Sequence, residues 1–181
     1  MELRLAPDRA EAAPPRAWPA RAALIVGLAY AGISMYWGLG GTWLLDTVGG
    51  SLAAGGRSGS AGVMAAVWGA AGLKVIAAVL PVLAAGRAAA SGPVPWRRLL
   101  RVLAWAEAMI LTLYGLVLTT VGLLVQTGLI RAGANADHRA LAWHAYLWDP
   151  WFLLWGLLVT AALLPGSRPH GAFPAADAAE R

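Results

Sequence analysis

Residues 61–86 read AGVMAAVWGAAGLKVIAAVLPVLAAG, an almost wholly apolar run with a single charge, Lys74, a little past its midpoint. A bilayer crossing needs about 20 apolar residues at ~1.5 Å rise each, so this run spans with some to spare. A charge at the centre of a lipid-bound helix costs about 2.5–3.5 kcal/mol on insertion scales. Such a lysine faces a bundle interior and finds a partner, or packs its stem inside and snorkels to the nearer headgroups. Gly62, Ala66 and Ala70 lead to Lys74 in steps of four, and Ala61, Ala65 and Gly69 form a second row. Small residues at this spacing let helix backbones approach closely in a membrane, which predicts a packing ridge ending at Lys74.

Three more runs of this kind surround it. The chain has 181 residues, 59% hydrophobic and 13% charged. Soluble domains carry about 25% charged residues, so four spans in one membrane domain are expected, with the lipid bilayer as the first partner. The net charge of +5 comes from arginines gathered beside the spans. There they set topology and meet anionic headgroups, and they do not point to nucleic acid. The absence of cysteine removes disulfides, thiolate nucleophiles and cysteine metal ligands. The bias to Ala, Gly, Arg and Pro suggests a bacterial source.

The predicted order is a disordered tail over 1–21, spans at about 22–40, 61–85, 100–127 and 140–164, and a disordered tail over 165–181. A cleavable signal peptide is the rival reading of the N-terminus, but its charged and apolar regions would both be too long. Ten of the fourteen Lys and Arg fall in the two tails and the 87–101 connection, which predicts cytoplasmic termini in a bacterial plasma membrane. Trp18 and Trp96 would then mark the inner interface, and Trp43 and Trp143 the outer one. The glycines of Gly38-Leu39-Gly40-Gly41 end the first span, and the Gly, Ser and Ala stretch to Ser60 reads as a loop. That stretch has neither a GxGxxG nor a GK[ST] motif, so a phosphate-binding reading is very weak. Asp149-Pro150 interrupts the fourth span. Proline lacks an N–H and Asp is a good cap, so a helix broken or kinked there is expected.

Two groups of polar residues follow from this layout. Lys74, Glu107 and Tyr114 lie from mid-membrane inward, and a Lys74–Glu107 ion pair is the leading expected contact. The alternative places Glu107 hydrated at the inner interface beside Arg98 or Arg101. Tyr36, Trp37, Trp148 and Asp149 form a candidate outer pocket. In the first span Gly27, Tyr30, Ser34, Trp37 and Gly41 recur at helical spacing, a stripe that serves either small-residue packing or a ligand. Asp137, His138, His144 and Asp149 lack the tight spacing of a metal site, and no motif asks for a cofactor. Ser34 has no histidine at a spacing that would make it a nucleophile.

Ser34-Met35-Tyr36-Trp37-Gly38-Leu39-Gly40-Gly41-Thr42-Trp43 resembles the first-span signature of the small bacterial membrane proteins grouped as the domain of unknown function 3995 family. Residues 143–156 are similar to its last span, where an aspartate and a proline precede a Leu- and Gly-rich helix. The resemblance implies four spans over 22–164 and no activity. This chain departs from the family's pattern at Ser34, where a histidine is expected two residues before Tyr-Trp.

The fold reading is an all-α, four-helix integral membrane bundle. The leading function is a membrane component that binds a hydrophobic or amphiphilic small molecule, or acts as an accessory, around a buried polar cluster. The alternatives are a membrane-embedded enzyme using Asp149 or Glu107 as acid or base on a lipid or isoprenoid-like substrate, and an oligomeric transporter, for which no inverted repeat is visible.

Overall fold

The computed structural model describes residues 17–86 and 92–164, which are almost entirely helical. Four helical segments are long and apolar enough to cross a membrane: Trp18–Gly38, Ala61–Ala85, Val94–Gln126 and His138–Leu163. The expected tails over 1–16 and 165–181, and Arg87, lie outside the described residues.

The first helix, α1, covers Ala17–Gly38. It begins five residues before the expected span, because Pro19 sits in the first turn, where its missing N–H costs nothing. Its far end closes as a Schellman motif: the Gly41 N–H donates to Tyr36 O (2.9 Å), the Gly40 N–H to Trp37 O (2.9 Å), and Gly40 has φ 90°. Thus the glycines act as predicted.

The stretch after it is not simply a loop. A 3-10 turn at Leu45–Thr47 leads to a short helix, α2, at Gly50–Arg57. Gly56 lies against Leu45 and Gly55 against Val63, so small residues let this weak helix former settle on the end of the bundle next to the start of the second span. Arg57 and Asp46 form an exposed ion pair across it.

Helix α3 covers Ala61–Ala85 and continues through Pro81. Its buried residues are Val67, Ala71, Ala78, Pro81 and Ala84, and half-buried Lys74 falls in the same stripe. The expected ridge is therefore corrected. Gly62, Ala66 and Ala70, and likewise Ala61, Ala65 and Gly69, are exposed. Lys74 is carried inward instead by the row that α1 covers.

Helix α4 covers Val94–Gln126 and starts earlier than predicted, because Pro95 is accommodated in its first turn. At 33 residues it is about 50 Å long, against a hydrocarbon core of about 30 Å. Helix α5, His138–Trp143, opens with Asp137 as its cap, whose side chain accepts from the Ala140 N–H (3.0 Å). A π-helical segment, His144–Trp148, joins it to α6, Asp149–Leu163. The fourth span is thus helical throughout, without a break at Asp149-Pro150. Near Pro150, which has no N–H to give, the backbone adopts the wider register, and the Asp149 N–H bonds His144 O.

Helix α1 packs chiefly on α3, and α4 on α6; α1 also packs on α6. The α4–α6 contact is made by glycine. A Cβ at Gly115 would strike the Leu153 backbone, one at Gly156 the Thr112 backbone, and one at Gly122 would crowd Ala145. The core gathers Tyr30, Trp37, Val67, Ala78, Leu111, Trp148, Trp155 and Val159. Large apolar side chains such as Ile25, Leu73, Ile76, Met109 and Ile110 are exposed around the outside, which suits lipid and not water.

Candidate functional site

The stripe on α1 is the centre of the polar interior. Tyr30 is 6% exposed, Ser34 2% and Trp37 5%. Lys74 Nζ donates to Ser34 Oγ at 2.7 Å and stands 3.8 Å over the centre of the Tyr30 ring. A hydroxyl and a π face are both favourable for an ammonium, but neither neutralises it.

The expected Lys74–Glu107 ion pair does not form. Ion pairs among the described residues are Arg57–Asp46 and His144–Asp149. The reason is depth. Ala78, four residues past Lys74, is level with Gly27 and Trp155, and the next residue, Gly156, meets Thr112. Glu107 lies five residues farther toward the Trp18 and Trp96 end, on the other side of that level from Lys74. Nor does Glu107 pair with Arg98 or Arg101, which are exposed. Both its carboxyl oxygens are enclosed without a hydrogen-bond partner. Tyr114 is apart from both, half exposed, with its ring edge-on to Phe152 at 5.1 Å. Lys74, Glu107 and Tyr114 are therefore three separate places.

The outer group is brought together in part. Trp37 and Trp148 meet edge to face at 5.7 Å, and Trp148 stacks on Tyr30 at 5.7 Å. Asp149, next in the chain, is 4% exposed. Tyr36 points away from them. It is 44% exposed and, with Ala29, Gly32, Ile33 and Trp43, borders a shallow apolar groove of about 420 Å³ on the outside of α1.

The connection between the first two spans is tied down onto this group by three contacts. Trp37 Nε1 donates to Trp43 O (2.8 Å), and Trp148 Nε1 to Thr47 Oγ1 (3.1 Å), which itself donates to Leu44 O (2.6 Å). His144 places Nε2 3.3 Å from Val48 O and Nδ1 3.2 Å from Asp149 Oδ1. A carbonyl only accepts, so Nε2 carries a hydrogen. The other bond then needs either a second ring hydrogen or a protonated Asp149, and the pair holds two protons between them. The π segment makes this geometry: its Asp149 N–H to His144 O bond holds the two residues one helical turn apart. Asp149 is thus not a simple helix cap.

Sequence reasoning missed His144 as the partner of Asp149, and it missed Thr47 and Val48 entirely. Five residues is not an α-helical repeat, and the Thr47 and Val48 contacts join residues about a hundred positions apart. Tyr30 and Ser34 were visible as part of the stripe, though not as the surroundings of Lys74. Among the described residues no group of three or more His, Cys, Asp or Glu is placed to hold a metal.

These features define a class: a four-span α-helical membrane protein with a polar interior. Within that class the chain belongs to the family described as Protein of unknown function (DUF3995), whose model matches residues 27–159, most of its length. The match begins at Gly27 on the Tyr30 stripe and runs past Asp149, so it contains every polar group described above. No curated protein and no solved structure matches the chain.

Proposed function

We propose that this protein is a non-enzymatic component of the bacterial cytoplasmic membrane, with both termini cytoplasmic, that binds a small amphiphile with an anionic head. The observation that carries the reading is Lys74: a cation at membrane depth whose partners are one hydroxyl and one aromatic face, with no carboxylate within ion-pair distance among the described residues. An ammonium has three hydrogens, and Ser34 takes one. An uncompensated charge in lipid is costly, and an anionic head would compensate it. The Tyr30 ring under the ammonium gives the site an aromatic wall.

The test is thermal unfolding of the purified protein in a neutral detergent, with added oleate or, separately, oleyl alcohol. These two differ in the head alone. Oleate should raise the Tm of the parent and oleyl alcohol should not, since a ligand bound only to the folded state stabilises by about 2.7 kcal/mol at a hundred times its Kd. Lys74→Met should abolish the oleate shift. Equal shifts from the two amphiphiles, or an oleate shift that survives Lys74→Met, would overturn the proposal.

A further inference from the structure

Glu107 takes no part in the arrangement around Lys74, and its position is unusual in a different way. Both of its oxygens are enclosed by protein, yet among the described residues no donor or acceptor reaches either one. An ionised carboxylate in such a place carries a desolvation cost that nothing nearby offsets. The charged groups on the packed elements are accounted for. Lys74 on α3 is engaged with Ser34 and makes no ion pair with Glu107 among the described residues. Asp149 on α6 is engaged with His144. Arg97, Arg98 and Arg101 of α4 itself are exposed near its first turns. Among the described residues no group of carboxylates or histidines could share a metal ion with Glu107, and hard cations ask for several oxygen ligands. A proton asks for one oxygen.

We infer that Glu107 is a proton-binding site in the interior of the membrane domain, occupied as the carboxylic acid and exchanging its proton with water. The exchange follows from where the residue stands. Its oxygens are covered, but the residue as a whole is only half-buried, so it stands near the surface of the bundle and not at its centre. Toward the Trp96 end, Leu100 and Ala104 of α4 pack with Leu80 and Ala84 of α3 and with Leu163 in a small cluster separate from the main core. Loading and unloading the site moves one proton and leaves every covalent bond in place. This inference does not depend on Lys74 binding an amphiphile.

The experiment is infrared spectroscopy of the full chain in phosphatidylcholine vesicles at neutral pH, parent minus Glu107→Gln, in H₂O and in D₂O. Gln keeps the size of the side chain and removes only the acid. The difference spectrum should contain the C=O stretch of a protonated carboxylic acid, and that band should shift in D₂O. The two carboxylate stretches in its place would overturn the inference, as they would mean an ionised Glu107. So would an acid band that stays unshifted after prolonged exposure to D₂O, which would make Glu107 a sealed structural acid. Should Glu107→Gln fold poorly, Glu107→Asp serves as the second reference, because its acid band appears at a displaced frequency.

Discussion

Lys74 and Ser34 show how little a charge needs to be held inside a membrane protein, and how exposed that solution is to mutation. A hydrogen bond to a charged group is worth about 1.5–3 kcal/mol, so Ser34→Ala should lower stability by that order in detergent melts. Lys74→Met should cost less or nothing, since replacing a buried charge by an apolar side chain of similar volume is often neutral. The Lys74→Met, Glu107→Gln double mutant should equal the sum of its singles within about 0.5 kcal/mol, as expected for groups that do not touch. Recovery of stability in the double mutant would contradict the separation in depth. The presence of a polar lysine site was legible in the sequence, because one charge in an apolar run cannot be overlooked. Its partner was not. Helical spacing places residues around one helix, but the depth at which two helices face each other is decided by where glycines and alanines let them touch.

At the level of elements, the glycines of α4 and α6 let the two backbones approach closely. Gly156→Ala should destabilise by about 1–3 kcal/mol, the usual range for overpacking, because its new methyl meets the backbone of Leu111 and Thr112 as well as the Thr112 hydroxyl. The same change at Gly62 or Gly69 of α3, where a Cβ meets nothing within 4 Å, should leave the Tm unchanged or raise it. The contrast separates used from unused small residues, a distinction that the sequence does not make: both sets have the same spacing. The fourth span teaches a related lesson. Asp149-Pro150 was visible as a disturbance, but a missing N–H can be met by a break or by a wider turn, and the surrounding packing chose the wider turn. The contact between the π segment and the Thr47 strap is checked by Thr47→Val. It leaves Trp148 Nε1 without its acceptor, so it should cost about 1–3 kcal/mol and speed proteolytic cleavage within residues 39–60. An unchanged cleavage rate would mean that the strap is held by its other contacts alone.

For the whole molecule, the four spans and their order were legible from hydropathy, because lipid imposes a length and a composition on anything that crosses it. What hydropathy left open was which helices are neighbours. The side on which each connection lies is open to direct measurement. The chain has no cysteine, so single cysteines at Arg57 and Arg98 give an unambiguous readout. With a membrane-impermeant maleimide on intact cells, the cysteine at 57 should react and the one at 98 should react only after lysis. The reverse pattern would invert the proposed topology. The pairing of α1 with α3 and of α4 with α6 has a consequence for how the protein can be made. The covalent link between residues 86 and 92 joins two helix pairs that each bring their own close partner. Two separately translated fragments, ending and beginning there, have what they need to insert independently and recombine. The gene is therefore divisible at that one point, and a split version would carry a reporter on each half without disturbing either pair.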